Sequence, residues 1–144
     1  MKEIMHWNIC LDEHIKKVQP DLEKIKSIIK MCNVRLKAMK QIKLDEETAS
    51  VIATDYYEVI KELLVALLLK SGLKSKNHEC LISFFKHKYP KYEYEAKTMH
   101  QLKYTRNRIS YDGVFVKIEY IENNKLEFEH IIEILKKLLE KTSN

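Results

Sequence analysis

The stretch VIATDYYEVIKELLVALLLKSG, residues 51–72, decides the fold of this chain. Its apolar side chains recur every three or four residues, which predicts an α-helix that Asp45 caps and that Ser71-Gly72 ends. The second half of this helix, residues 63–69, is apolar on nearly every side. Such a helix either lies at the centre of a protein or lines a dimer interface. The sequence therefore predicts an all-α protein built around it.

Further helices are predicted on both sides of this one. After a short N-terminal helix, the same apolar spacing predicts long helices at about residues 20–42, 93–111 and 122–141, and a shorter helix that Asn77 caps and that ends before Pro90. Residues 113–120 alternate in places as a strand does, but a single strand has no partner, so we expect a turn there. The result is an antiparallel up-and-down bundle of four long helices plus one or two short ones, in a single domain over residues 1–144.

Net charge and hydropathy indicate which binding partners and which cellular location to expect for the chain. Lys and Arg number 26 against 21 Asp and Glu, so the formal net charge of +5 attracts a polyanion mildly. The longest uncharged apolar run, residues 63–69, is far shorter than the ~20 residues that span a bilayer. The first residues carry charges of both signs and lack the apolar centre of a secretory signal. We expect a cytoplasmic protein without membrane contact.

The three cysteines, Cys10, Cys32 and Cys80, have no CxxC spacing. An odd count without a secretory signal is typical of reduced thiols in a cytosolic protein. We therefore expect all three to be small buried apolar residues, without a metal-binding or nucleophilic role.

The usual catalytic signatures are absent from the sequence. It contains no Gly-rich phosphate loop, no HExxH, no GxSxG and no paired CxxC, and we predict neither a metal site nor a cofactor. Residues 74–80 form a first polar cluster, in which His78 and Glu79 are either an acid/base pair or part of a capping turn with a surface histidine. Adjacent helical residues point about 100° apart and rarely cooperate, which favours the capping turn.

A second polar cluster, residues 106–113, lies near the end of the helix predicted at 93–111. At ~100° per residue, one stripe of this helix holds six polar side chains: His100, Lys103, Arg106, Asn107, Ser110 and Tyr111. Arg offers a fork of donors for phosphate, Asn can bind a ribose or base edge, and Tyr can stack on a base. The stripe is either the solvated face of an amphipathic helix or an RNA-binding groove, and in the second case the expected RNA contacts are Lys103, Arg106, Arg108 and Ser110.

The motif Arg106-Asn107-x-x-x-Tyr111, followed by Asp112-Gly113 and a long C-terminal helix, resembles the HEPN superfamily of small helical bundles, in particular its archaeal branch. Residues 72–75 and 77–80 are similar to the turn between the second and third helices of that branch. The resemblance covers roughly residues 20–141. It implies a homodimer in which two copies of the motif face each other, and a toxin whose partner is a minimal nucleotidyltransferase antitoxin.

The resemblance also assigns catalytic roles to Arg106, Asn107 and Tyr111. In the family the Arg stabilises the charged phosphorane, a polar residue follows it, and a His acts as general base on the ribose 2′-hydroxyl. Tyr111 stands where this His is expected. Because a tyrosine with a reference pKa of ~10 is a poor base at neutral pH, the metal-independent ribonuclease activity is expected to be weakened or lost, which leaves RNA binding.

Two other histidines are candidates to replace the motif His. His100 lies ~9 Å earlier on the same stripe, too far to take the place of Tyr111. His130, in the helix predicted at 122–141, reaches the motif only if the fold brings it there. The alternative function is a non-catalytic protein-interaction module, whose partner surface would be the broadly apolar helix at residues 51–72.

Overall fold

The computed structural model describes residues 1–141, and the last three residues of the predicted domain lie outside that range. The chain is mostly helical, with 74% helix, which confirms the all-α class. The described helices are α1 (Trp7–Glu13), α2 (Leu22–Met39), α3 (Ala49–Lys70), α4 (His78–Lys88), a 3-10 helix (Pro90–Tyr92), α5 (Glu93–Asp112) and α6 (Ile118–Glu140). None of them is long and apolar enough to cross a membrane.

α3 is the central helix of the fold. α2, α4, α5 and α6 all pack against it, and its side chains Leu63, Leu64 and Leu67 are at most 2% exposed. Burying one leucine fully contributes about 1.5–3 kcal/mol relative to leaving it in water. Of the two places predicted for this helix, the centre of the protein is therefore the one it occupies, and the chain itself covers its apolar sides.

Side-chain caps begin two of the helices that surround α3. The Asp21 carboxylate accepts a hydrogen bond from the backbone N–H of Lys24 at 3.0 Å and begins α2. The Asn77 side-chain oxygen accepts from the backbone N–H of Glu79 at 2.8 Å and begins α4. Such caps satisfy donors that the first helical turn leaves unpaired. The prediction that Asn77 caps a helix is confirmed.

Asp45 and Gly113 act at two other helix boundaries. Asp45 accepts from the backbone N–H groups of Glu47 and Thr48 at 2.8 and 2.9 Å. It therefore caps the turn that leads into α3, and the helix itself starts only at Ala49. α5 ends at Gly113, whose φ of 65° is a left-handed conformation that glycine adopts without strain.

A small two-stranded sheet was not predicted from the sequence. β1 (Ile15–Lys17) and β2 (Leu73–Ser75) pair antiparallel, with Ile15 opposite Ser75. Three residues are too few to show the alternation that identifies a strand, and α2 and α3 lie between the two partners in sequence. The sheet ties the segment after α1 to the turn between α3 and α4.

The connection between α5 and α6 starts as predicted but is shorter than predicted. Residues 113–117 have no regular structure, but α6 begins at Ile118, one turn earlier than the predicted start at residue 122. The backbone N–H of Val116 donates to the Ser50 hydroxyl at 2.9 Å. This bond holds the connection against the first turn of α3.

The cysteine prediction was wrong for two of the three residues. Cys10 in α1 and Cys80 in α4 form a disulfide, with Cα atoms 5.6 Å apart. α1 packs on α4 by placing Trp7 edge-on to Phe84, with ring centroids 5.6 Å apart, and this packing joins cysteines that are 70 residues apart in sequence. Cys32 is a buried free thiol, as predicted, and burial raises its pKa to about 11.

Candidate functional site

Arg106 is the centre of a cluster formed by α3 and α5. Its guanidinium carbon lies 5.2 Å from the ring centroid of Tyr57 and 5.9 Å from that of Tyr111. Its Nη1 donates a hydrogen bond to Asn107 Oδ1 at 3.1 Å. A guanidinium over an aromatic face is attracted by the quadrupole of the ring. The structure thus brings together the predicted residues Arg106, Asn107 and Tyr111, and adds Tyr57 to them.

Part of the Arg106 guanidinium is not satisfied within the protein. Its Nε is buried without a hydrogen-bond partner, and none of the ion pairs within residues 1–141 involves this side chain. A buried donor without an acceptor costs about 1–3 kcal/mol, and more when it is charged. An oxyanion that reaches the accessible part of this half-buried side chain would balance its charge. The side chain is therefore suited to binding a phosphate.

Tyr57 was missed because its sequence context is that of a core residue. It is only 3% exposed, and burial raises the pKa of its phenol to about 12 against a smaller opposing effect of Arg106. One turn further along α3, Lys61 pairs with Glu58 at 2.6 Å and with Glu62 at 3.2 Å. Glu58, Lys61 and Glu62 are charged residues within a mostly apolar helix. Their presence in the sequence indicates a polar site on α3.

His78 is the first residue of α4, directly after the Asn77 cap that was expected there. Its side chain is half-buried, where a surface histidine was expected. Burial lowers its pKa, and the positive charges of Lys61, Arg106 and Lys103 lower it further, while Glu58 acts in the opposite direction. At neutral pH the imidazole is therefore uncharged and able to accept a proton. The two polar clusters that were predicted separately are neighbours in the fold.

A cleft of about 390 Å³ opens beside this cluster. It is lined by residues of the N-terminal segment, α4 and α5: Met1, Lys2, Glu79, His100, Lys103, Tyr104 and Asn107. Nε2 of His100 donates to the carbonyl oxygen of Lys2 at 2.5 Å. His100 therefore holds the N-terminal segment against α5, while Lys103 and Asn107 are open to the cleft.

The remaining predicted residues form no hydrogen bond with the Arg106 side chain within residues 1–141. Arg108 and Ser110 are exposed, and no hydrogen bond within the described chain joins their side chains to the cluster. Nε2 of His130 lies 3.9 Å from Glu95 Oε2. At 1.5 Å per residue, Glu95 is ~16 Å before Arg106 along α5. The fold therefore does not bring His130 to the motif.

These groups define what the site can do chemically. Arg106 and Lys103 provide positive charge, since Lys61 is paired with Glu58 and Glu62, and Tyr111 presents an aromatic ring that is 74% exposed. Within residues 1–141, no group of three or more His, Cys, Asp and Glu side chains is placed to hold a metal ion. Positive charge and an exposed ring can bind an anionic group and stack on a planar one.

Comparisons of the sequence and the structure with known proteins found no relative of this chain. Any functional assignment therefore depends on the geometry of this cluster. A scan against models of known protein families, a search of curated proteins and a search of solved structures each gave no match.

Proposed function

We propose that this chain is a HEPN-like domain that binds RNA at the cluster around Arg106, with a metal-independent ribonuclease activity that is weakened or lost. The observation that carries the proposal is the Arg106 guanidinium. Its carbon lies 5.2 and 5.9 Å from two tyrosine ring centroids, it donates to Asn107, and it forms no ion pair with a carboxylate of residues 1–141. An RNA phosphodiester offers the negative charge that would balance this cation.

The proposed RNA contacts divide among named side chains. Arg106 and Lys103 bind phosphate oxygens, Asn107 binds a ribose or base edge from the cleft, and Tyr111 stacks on a base. Arg108 and Ser110 are exposed on the same helix and extend the contact to neighbouring phosphates. Because phosphate contacts release counterions, the affinity for single-stranded RNA is expected to fall as the salt concentration rises.

The architecture and the partners belong to the same proposal. The four longest helices, α2, α3, α5 and α6, run up and down as an antiparallel bundle, and two domains form a homodimer with their Arg106 clusters facing each other. Tyr111 and Phe115, which are 74% and 71% exposed, offer apolar surface for that contact. A minimal nucleotidyltransferase antitoxin is the proposed partner of this dimer.

The proposed location is the cytoplasm. The Cys10–Cys80 disulfide is compatible with this location in a hyperthermophile, because intracellular disulfides are common in such organisms. The high content of Lys and Glu is also typical of hyperthermophilic proteins.

The test compares wild type with Arg106→Ala and Lys97→Ala, all purified identically, for binding and cleavage of labelled total RNA in chelator. Lys97 is an exposed cation on α5, ~180° around the helix from Arg106, so its loss matches the change in charge. Wild type and Lys97→Ala should bind RNA, whereas Arg106→Ala should bind at least ~10-fold more weakly, since hydrogen bonds to charged groups contribute about 1.5–3 kcal/mol. Equal binding by all three proteins contradicts the proposal.

A second function, a non-catalytic protein-interaction module, is favoured by the exposed rings of Tyr111 and Phe115. The helix that first indicated this function, α3, is covered by the chain's own helices. A protein complex that is insensitive to salt and to Arg106→Ala would identify the interaction module. RNA binding that weakens with salt and is lost in Arg106→Ala would identify the RNA-binding domain.

A further inference from the structure

We infer that a second cleft, formed at the two-stranded sheet, binds phosphate groups of the RNA; this inference rests on the RNA-binding function proposed above. The cleft has a volume of about 490 Å³. One wall is formed by residues 13–16, and the other by Lys74, Lys76 and Asn77. The polar cluster that the sequence shows at residues 74–80 thus supplies one wall of this cleft, which we call the sheet cleft.

Two lysines face each other across the sheet. Lys16 and Lys74 are paired residues of the antiparallel strands, and residues that lie directly opposite project from the same face. Lys76, two residues after Lys74, lines the same cleft. Like charges directly opposite each other destabilise a sheet. An anionic group between these side chains is attracted by both and offsets their repulsion.

The protein leaves these three lysines without a counter-charge. All three are exposed, and none of them forms an ion pair within residues 1–141. Among the residues that line the sheet cleft, Glu13 is the acidic one, so three lysines stand against one glutamate. A cleft of about 440 Å³ between α2 and α6 is also lined by three lysines, but two glutamates accompany them. The sheet cleft therefore has the larger excess of positive charge.

The walls of the sheet cleft are held together by two kinds of link. The strand pairing joins residues 15–17 to residues 73–75. The disulfide between Cys10 and Cys80 joins α1, which leads into one wall, to α4, which follows the other. Charged groups that are already in position lose less conformational freedom when a ligand binds. The sheet and the disulfide thus prepare this cleft for an anion.

The sheet cleft adjoins the cleft beside Arg106 at the first turn of α4. Asn77 lines the sheet cleft, and Glu79, two residues later, lines the other cleft together with Lys103 and Asn107. Five lysines and two glutamates line the two clefts taken together. A single strand carries a negative charge at every phosphate and can follow a positively charged groove. RNA that is long enough to reach both clefts should therefore bind more tightly than a short RNA.

The test is a set of binding titrations with two single-stranded RNAs, one of about four and one of about 12 nucleotides. Lys16→Gln/Lys74→Gln removes the two facing charges, and Lys16→Arg/Lys74→Arg keeps them. Lys37→Gln/Lys40→Gln is the matched control, because both lysines are exposed and line the cleft between α2 and α6. Wild type and Arg106→Ala are measured beside these three double variants.

Lys16→Gln/Lys74→Gln should bind the long RNA at least ~10-fold more weakly at about 0.1 M salt, and the short RNA as wild type does. Each phosphate contact of a single strand contributes about 0.7 to the slope of log K against log salt concentration, so the slope for the long RNA should be smaller by about 1.4. The Arg variant and the control should match wild type with both RNAs. The melting temperature of the Gln variant should equal or exceed that of wild type, since a repulsion between like charges is removed.

The outcomes separate this inference from the proposed function. Binding of the long RNA by Lys16→Gln/Lys74→Gln as in wild type overturns the role of the sheet cleft and leaves RNA binding at Arg106 standing. An equal loss for both RNAs, or an equal loss in the control or in the Arg variant, overturns it as well, because the two charges of the sheet cleft would then not be the cause. Long-RNA binding that survives Arg106→Ala but is lost in the Gln variant contradicts the site at Arg106 and supports the sheet cleft. If wild type binds neither RNA, the proposed function and this inference fail together.

Discussion

α3 and α5 are helices of similar length that differ in how much of each is buried. Of the 22 residues of α3, 14 are buried, whereas α5 buries three of its 20 residues, namely Ala96, Met99 and Leu102. Beyond Leu102, no residue of α5 is buried. α3 therefore supplies a large part of the buried core. The second half of α5 contributes no buried residue, so its polar side chains are available for binding.

The two helices meet where Arg106 of α5 lies over the ring of Tyr57 of α3. Arg106 is partly exposed, whereas Tyr57 is buried. A core residue therefore helps to position Arg106, although the core itself is not part of the polar surface. If this division is correct, changes in α3 should lower stability, and changes at the end of α5 should alter RNA binding at little cost in stability. Substitutions in each of the two helices test that division.

The largest effect is expected from Leu63→Ala in α3. Leu63 is completely buried, so the substitution removes apolar contacts and leaves a cavity, which should lower the free energy of unfolding by about 2–5 kcal/mol. Urea denaturation followed by circular dichroism measures this change. Leu126→Ala is the matched control, because Leu126 is 81% exposed on α6 and its loss should change stability by less than about 0.5 kcal/mol. Similar losses in both variants would mean that α3 is not the centre of the core.

The next effect concerns α1, which is attached by a disulfide in addition to packing. Replacing Cys10 and Cys80 together by Ala should lower the free energy of unfolding by about 2–4 kcal/mol, because the crosslink restricts the unfolded chain. Alkylation of the denatured, unreduced protein followed by mass spectrometry should label Cys32 alone. Labelling of all three cysteines would contradict the disulfide, and unchanged stability of the double variant would show that packing alone holds α1.

The core could be predicted from the sequence because it depends on local patterns. The apolar spacing of residues 51–72 identified the central helix, and Asn77 marked the start of α4 through a cap that involves only neighbouring residues. The predicted end of α5 at residue 111 is one residue from the observed end at Asp112, where Gly113 follows with a positive φ. These features are set by contacts within a few residues along the chain.

The site could be predicted only in part, because it depends on how distant segments pack. The contacts of Arg106 with Asn107 and Tyr111 lie within one stretch of α5, as the predicted stripe of that helix requires. Tyr57 was missed, since it meets Arg106 from a distant part of the sequence. The same reason hid the disulfide and the three-residue strands. The resemblance to the HEPN superfamily and the homodimer that it implies stay predictions.

A smaller effect on stability is expected from Arg106→Met, which keeps an apolar stem and deletes the guanidinium. The variant loses its contact with the Tyr57 ring, which contributes about 0.5–2 kcal/mol, and is relieved of a buried donor without an acceptor, which costs about 1–3 kcal/mol. Its free energy of unfolding should therefore lie between about 1 kcal/mol below and about 2.5 kcal/mol above that of wild type, while RNA binding is lost. Urea denaturation and an RNA titration on the same samples measure both. A loss of more than about 2 kcal/mol would show that Arg106 serves the core as α3 does.

The smallest effect is the contribution of His78 to the pH dependence of stability. Its pKa is lower in the folded protein than the 6.5 of the free side chain, so below pH 6.5 the unfolded chain binds more protons at this position than the folded one. The contribution of His78 to the free energy of unfolding is fully present above pH 6.5. It is lost as the pH falls from 6.5 toward the pKa of the folded state. The melting temperature should therefore fall more between pH 7.5 and pH 5.0 for wild type than for His78→Gln. Titratable groups that both proteins share contribute equally, so their effects cancel in this comparison. If the two fall equally, or if the variant falls further, the pKa of His78 is not lowered by burial or by the positive charges of Lys61, Arg106 and Lys103.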